Sequence, residues 1–370
     1  MLFLILTLFV GASIYLVLQN FWFLKLKFLL SKSSSPRQII HKSSVSILIA
    51  AKNEANQLKK NLGAILQQQK ITTEVIVIDD HSTDETFQVL QEFQKKYTHL
   101  RIYQLQDFTS KSSKKIALTK AIELAKHEVL LFTDADCQPV SQLWAYHMLQ
   151  SLHLHSKNQI VLGFGGFKKK PNFLNRLQNF ETLQTAIQYF SASLWSIPYM
   201  GVGRNLMYKK SVFLENQGFE KHLDLKSGDD DLFIQDVANS YNTQVGLHLD
   251  SFTISLHPSS WKSWFRQKRR HVTTANRYSF LHQFLLGFSF LMKFVFWLGF
   301  LVLLFTSFWT TSLFMFSVVM TTEILIQKSI FKHFNEERLI LGYPIYNFCL
   351  VMFQFCIFSI NLFSTPKHWS

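Results

Sequence analysis

EVLLFTDAD, residues 128–136, is an apolar run that ends in two carboxylates one residue apart. Such a run, without polar alternation, fits a strand covered on both faces, as in a parallel sheet between layers of helices. EVIVIDD, residues 74–80, repeats the pattern and ends in Asp79-Asp80, and VSILIAA, residues 45–51, passes into Lys52-Asn53-Glu54. Segments of helical period lie between these runs. Leu58, Leu62, Ile65 and Leu66 share one face of 57–68; Phe87, Leu90 and Phe93 mark a helix that Ser82 or Thr83 can cap. Ile116–Ala125 is a third helix, introduced by Lys111, Lys114 and Lys115, and residues 100–105 add a strand. Alternating strands and helices predict an α/β domain with a doubly wound, mixed but mainly parallel sheet. Acids that follow its strands emerge at the carboxyl edge, where open sheets bind ligands.

Outward from this core, composition changes sharply. Of 370 residues 48% are hydrophobic, 37 are Phe and only 17% are charged, and the apolar residues collect at the two ends. Residues 2–24 carry no charge and are long enough to span a bilayer, and further spans are expected at about 284–309, 311–327 and 344–363. Lys293 falls inside the first of these, close enough to an end to snorkel. No Lys or Arg precedes the first span, whereas Lys25 and Lys27 follow it, so an uncleaved anchor is expected rather than a signal peptide. Lys25, Lys27 and Lys32, Arg266–Arg270 and Lys328–Arg338 all flank spans on one side, which the positive-inside rule makes cytoplasmic. The expected layout is an anchor 1–24, a linker 25–44 containing Ser31–Ser35 and Pro36, a cytoplasmic domain 45–258, an interfacial segment 259–282 and a three-span region 283–370 that ends outside.

A net charge of +14 invites a nucleic-acid reading. Much of that charge is juxtamembrane, and neither zinc-finger spacing nor an aromatic RNA-binding strand is present, so a lipid bilayer is the expected partner and no nucleic acid is. Cys137, Cys349 and Cys356 make no disulfide framework and suit a reducing compartment.

The chemistry rests on acids in a fixed order: Asp79-Asp80, Asp134-Ala135-Asp136, and Asp229-Asp230-Asp231 after Gly228. No GxGxxG follows the first strand and no GxxxxGK[ST] occurs, so dinucleotide and P-loop sites are poorly supported. An Asp-x-Asp at a strand end can hold Mg²⁺ or Mn²⁺ against the phosphates of a nucleotide sugar, which makes Asp134 and Asp136 the candidate metal ligands. Asp79 and Asp80 suit the base and ribose. The bland alternative for each cluster is a solvated acidic turn or a helix cap.

Taken with Ala51-Lys52-Asn53-Glu54, the DDxSxD-like Asp79–Asp84, Lys114–Leu118, Gly201–Tyr208, Gly228–Leu232 and Gln267–His271, this order resembles the membrane-integrated family-2 glycosyltransferases of the cellulose synthase and poly-N-acetylglucosamine synthase kind. The resemblance covers about residues 45–275 and implies a GT-A domain. It implies inverting transfer from a nucleotide sugar, expected to be a UDP-sugar, to a membrane-associated, lipid-linked or saccharide acceptor, in cell-envelope glycan or glycolipid synthesis at a bacterial inner membrane. It further implies donor binding by Ala51, Asn53, Glu54, Asp79, Asp80, Lys115, Asp134, Gln267 and Arg270. Gly203, Arg204, Asn205 and His271 would then meet the acceptor, and Asp229 or Asp230 would be the general base. Two departures stand out. The run of three Asp leaves the base register open, and His271 replaces the Trp of the family's QxxRW, which weakens a processive reading.

Trp261, Trp264, Phe265 and Lys268 follow helical spacing among Lys262, Arg266, Arg269 and Arg270, as in an amphipathic helix at headgroup level. A lipid glycosyltransferase resembling the ceramide glucosyltransferases is therefore a neighbouring reading. A non-catalytic scaffold that keeps the fold is the rival of another class, and it has no need to keep Asp136, the Asp229–Asp231 run and Arg270 together.

Overall fold

The computed structural model describes residues 1–31, 43–105, 114–225 and 227–364. Lys32, Lys111, Lys226 and most of the expected linker lie outside these residues. The strands are β1 (Ser44–Ala51), β2 (Thr72–Asp79), β3 (Leu100–Gln104), β4 (Val129–Phe132), β5 (Gln138–Pro139), β6 (Ile160–Leu162), β7 (Gly165–Phe167), β8 (Leu206–Lys209), β9 (Thr243–Val245) and β10 (Thr253–Ser255). The helices are α1 (Leu2–Trp22), α2 (Leu24–Ser31), α3 (Ala55–Leu66), α4 (Thr86–Lys96), α5 (Lys114–Leu124), α6 (Trp144–Leu152), α7 (Phe173–Leu194), α8 (Lys210–Glu215), α9 (Asp231–Val237), α10 (Trp261–Ala275), α11 (Phe280–Leu303), α12 (Trp309–His333) and α13 (Tyr343–Phe363). They form two compact units, one of Ser34–Lys168 with Ala192–His257, the other of Met1–Ser33, Lys169–Ser191 and Pro258–Ser370.

The first unit is an α/β layer structure around a seven-stranded sheet of order β3-β2-β1-β4-β8-β6-β9, accompanied by a small β5-β10-β7 sheet. β3, β2, β1 and β4 run parallel, as their unbroken apolar runs require. Val45, Ile47, Ile49, Val75, Val77 and Leu131 are buried under α3 and α6, which contribute Leu58, Leu62, Trp144 and Met148. β8 reverses direction: it pairs antiparallel with β4, with Phe132 opposite Leu206. That reversal has a functional consequence. The residues before β8, Gly201–Asn205, arrive at the same edge at which β1, β2 and β4 discharge Lys52–Glu54, Asp79-Asp80 and Asp134–Asp136.

The second unit gathers the apolar helices. Four are long and apolar enough to cross a membrane: Leu2–Ser31, Phe280–Leu303, Trp309–His333 and Tyr343–Phe363. α1 runs antiparallel to α11, with Phe9 stacked on Phe296 at 5.5 Å and Tyr15 edge-on to Phe288 at 5.0 Å. α12 runs antiparallel to α11 as well, Phe316 lying on Phe300 at 4.2 Å and Leu325 accepting from Lys27 Nζ at 3.2 Å. α7 belongs here, although sequence patterning alone leaves it in the 45–258 domain. Its buried Leu177, Phe180, Leu183, Ile187 and Phe190 recur at helical spacing; Phe180 packs at an angle against Phe331, Tyr343 and Tyr346, and Phe190 stacks on Phe334.

Candidate active site

At the carboxyl edge of the large sheet the first two loops are tied to each other. Asn53 N–H donates to Ser82 Oγ at 2.9 Å, Thr83 N–H to Asn53 Oδ1 at 2.8 Å, and Glu54 N–H to Thr86 Oγ1 at 2.8 Å. Asn53 and His81 both take left-handed backbone, with φ of 56° and 57°. Asp84 joins the knot, accepting from Thr86 N–H at 3.0 Å and from Ala55 N–H at 3.3 Å. Asp79 is fully buried; its carboxylate accepts from Ser82 N–H at 3.2 Å and from Gln104 Nε2 at 3.3 Å. Asp80 is buried too and meets His81 Nδ1 at 2.9 Å. Much of the DDxSxD-like segment thus holds the edge in shape.

Past β4, a carboxylate oxygen of Asp134, one of Asp136 and the Cys137 sulfur lie within 4.8 Å of one another. Burial and this crowding of charge act together on their protonation. Burial and then Asp134 push Asp136 up, and burial followed by Asp136, Asp134 and Asp84 pushes Glu54 up to about 7. Asp134 behaves oppositely. Burial works against its charge, but the Lys114 ammonium at 2.7 Å holds it below the usual range. The same ammonium lies 3.1 Å from Asp229 Oδ2. Asp230 completes the group by accepting Gly203 N–H on Oδ2 at 2.7 Å and Asp231 N–H, at the start of α9, on Oδ1 at 2.8 Å. Burial, then Asp229 and Asp231, pushes Asp230 up to about 7. A Cβ at Gly203 would stand 3.4 Å from both Asp230 Oδ2 and Lys114 Nζ, so the backbone of this loop lies directly against both groups. Lys114, Thr133, Asp134, Gly203, Asp229 and Asp230 line one small cavity.

The two adjacent lysines therefore have different tasks. Lys115, 1% exposed, donates to the carbonyls of His222, Leu225 and Ser227 at 2.5, 3.0 and 2.7 Å, on the segment that leads into the acid run. Lys114, which sequence reading passes over in favour of Lys115, is the one that meets the acids. Helical period alone does not separate them: Lys114 stands one turn before Leu118, which also lines the cavity, and Lys115, in phase with Leu118 and Ile122, is buried. Lys115→Met would leave three acceptors without their donor, at about 1–3 kcal/mol for each buried group left unsatisfied. It is expected to lower the melting temperature of the detergent-solubilised protein by several degrees, a loss that Lys115→Arg should partly restore. An unchanged melting temperature would remove this role.

Of the expected acceptor residues, Asn205 is fully buried, accepting from Trp144 Nε1 at 2.9 Å and donating to the carbonyls of Phe164 and Ser251 at 2.9 and 2.7 Å. Arg204 lays its guanidinium 4.0 Å over the Phe167 ring and reaches Ser255 Oγ at 3.3 Å. Ala51 ends β1 beside Asp79. Gln267, Arg270 and His271 lie on α10, in the unit of apolar helices. His147, His248 and Asp250 form a second polar cluster, but its imidazoles stack face to face at 3.5 Å, an arrangement in which both lone pairs cannot converge on one ion.

Comparison with known proteins matches residues 46–216 to "Glycosyl transferase family 2" and residues 142–358 to "Glycosyl transferase family group 2". The chain is 27% identical over 299 residues to the probable glycosyltransferase YdaM of Bacillus subtilis (strain 168), covering 76% of this chain and 66% of that protein. It is 25% identical over 216 residues to a poly-beta-1,6-N-acetyl-D-glucosamine synthase of Staphylococcus epidermidis, covering 58% of this chain and 48% of that one. The chain thus spans from about half to about two thirds of the length of these relatives. Its fold is shared with the mannosyltransferase PcManGT from Pyrobaculum calidifontis, solved with GDP-Man and Mn2+, at a TM-score of 0.60 and 16% identity over 94% of this chain and 99% of that one.

Proposed function

The chain belongs to glycosyl transferase family group 2, and from that premise we propose that it transfers a sugar, with inversion, from a nucleoside-diphosphate sugar to a membrane-associated acceptor. The observation that carries this reading is the single charge cluster built from three separate segments. Lys114 joins Asp134 after β4 to Asp229 before α9, and Asp230 fixes the Gly203 loop beside them. A scaffold has no need of that convergence.

In the proposed reaction the donor diphosphate lies over Asp134 and Asp136. Their clustered oxygens fit a hard divalent cation; burial first, and neighbouring like charges after it, push Asp136 and Glu54 up, and a cation would offset the second of these. When bound, Mg²⁺ or Mn²⁺ would offset the charge that builds on the leaving diphosphate. Asp229 takes the proton of the acceptor hydroxyl, so that the oxygen attacks as the sugar–phosphate bond breaks, and no enzyme nucleophile is needed. Asp230 positions this base: both its oxygens accept backbone N–H groups, which ties the start of α9 to the Gly203 loop. Lys114 bridges Asp134 and Asp229, offsetting the repulsion between them, and supplies a cation near the phosphates. Asn53, Glu54, Asp79, Asp80 and, from the QxxR-like segment, Gln267 and Arg270 are proposed to complete the donor site. Arg204 and His271 are proposed to face the acceptor.

The names of the relatives support an envelope glycan setting, and the basic amphipathic helix α10 supports an acceptor delivered by the membrane, with the sheet unit on the cytoplasmic side. The test is turnover of purified protein in detergent with Mn²⁺ against a panel of UDP- and GDP-sugars, with and without bacterial lipid extract. Nucleoside diphosphate is expected from one donor class and more of it with lipid present. No release from any donor under either condition would sink the reading.

A further inference from the structure

We infer that α13, although long and apolar enough to cross a bilayer, lies within one leaflet, with both of its ends on the side of the membrane that α10 faces. This inference is independent of the transfer reaction and rests on direction. α12 follows α11 antiparallel, so if both cross, α12 ends on the side where α11 begins. The connection that follows, Phe334–Gly342, carries Glu336, Glu337 and Arg338, and Glu336 pairs with Lys169 at 3.5 Å, so α13 starts on that same side. A crossing α13 would then have to run parallel to α11.

It runs the other way. Trp297 Nε1 donates to Asn347 Oδ1 at 2.9 Å, Phe294 stacks on Phe355 at 4.6 Å, and Phe290 meets Phe358 at 4.8 Å, so α13 advances toward the beginning of α11. Its far end is pinned by α10. Trp264 stacks on Phe353 at 4.0 Å with rings 9° apart, and Arg269 donates to Asn361 Oδ1 at 2.7 Å and to Ser364 Oγ at 2.8 Å. α10 and the second half of α13 therefore lie side by side and run in the same direction. α10 carries Lys262, Arg266, Lys268, Arg269 and Arg270, and a crossing α13 would draw this helix into hydrocarbon. With α13 in the plane the conflict disappears. The exposed Lys262 and Arg266 of α10 lie among anionic headgroups, Lys268 pairs with Glu181 at 2.6 Å, and the exposed Phe355, Phe358, Ile360 and Phe363 of α13 enter the acyl chains just beneath. The partner of this two-helix surface is one lipid leaflet, and the chain crosses the bilayer at α1, α11 and α12 alone among the described residues.

The experiment compares two reporters on the full chain, one inserted at Ser156 in the sheet unit and one fused after Ser370, each tested with a tag active only in the cytoplasm and with one active only outside. The inference expects both positions to report the same compartment. Opposite compartments would overturn it, because four crossings place the C-terminus across the membrane from Ser156. A depth measurement guards against a tag that disturbs the end of the chain. Cys349 and Cys356, labelled one at a time with a fluorophore after Ser replacement of the other two native cysteines, are expected to be quenched equally by lipids brominated at one depth. A difference of more than about two-fold between them would indicate a helix that traverses the leaflet, and would also overturn it.

Discussion

Asp229→Asn is expected to lower turnover by about 100-fold or more while donor affinity stays close to that of the parent, a loss within the range of general-base catalysis and equivalent to about 2.7 kcal/mol of barrier. The amide keeps the shape of the carboxylate and cannot accept a proton. Asp230→Asn is the informative contrast. Its oxygens hold Gly203 N–H and Asp231 N–H, and the amide can satisfy only one of those donors. Asp230→Asn should therefore move acceptor KM and thermal stability and reduce turnover less than Asp229→Asn does. The pH profile separates the two roles again. Asp230 is pushed up to about 7, so if it were the base, turnover of the parent would be lost as pH falls through about 7, because a protonated carboxyl cannot take the hydroxyl proton. Turnover that holds steady from pH 8 to 6 leaves the task with Asp229. A steep fall centred near 7 that vanishes in Asp230→Asn, together with near-parental turnover in Asp229→Asn, would exchange the assignment. Arg270→Ala tests the proposed donor role of the QxxR-like segment, since loss of a donor contact should weaken donor binding as well as rate.

The register question shows where sequence stops being informative. Asp134-Ala135-Asp136 was legible because a buried strand of unbroken apolar residues points its last residues to one edge, whatever the rest of the fold does. Three consecutive Asp carry no such vector. What distinguishes them is the turn at Gly228, with φ of 94°, and the point at which α9 starts, and only the backbone fixes these. The same holds for Lys114 and Lys115, one residue and a third of a helical turn apart on a short helix whose phase depends on packing against β1 and β2. Asp79 ends a strand, and no sequence pattern shows that its carboxylate also accepts from Ser82 N–H and Gln104 Nε2 in the turn that follows. The small β5-β10-β7 sheet was beyond reading. Its strands have two or three residues, too few for any periodicity to register. α13 illustrates a different limit. Hydropathy reports that a helix is soluble in lipid, whereas its direction is settled by Trp264, Arg269 and Asn361, residues of two helices far apart in the chain.

Asp136→Asn is expected to abolish measurable turnover, at least about 100-fold, because burial and Asp134 outweigh the Arg204 and Lys114 charges at this carboxylate and leave it the better placed of the two to take a divalent ion. Asp134 already shares Lys114 at 2.7 Å, so Asp134→Asn should weaken metal binding yet leave part of the activity, with Mn²⁺ in excess recovering some of it. Asp136 is raised by burial and by Asp134, the state of a carboxylate for which a divalent ion is the natural neutralising partner. Metal binding can be followed apart from catalysis. Titrating the protein with Mn²⁺ in the presence of a nucleoside diphosphate should remove the free-ion magnetic resonance signal for the parent and leave it for Asp136→Asn. Cys137→Ser serves as the control: its thiol is pushed well up by burial and the two neighbouring acids, so it stays neutral and is a poor ligand, and Mn²⁺ uptake should be unchanged. Full activity of Asp136→Asn in excess chelator would show that the triplet only shapes the turn after β4, and the leaving-group charge would then fall to Lys114.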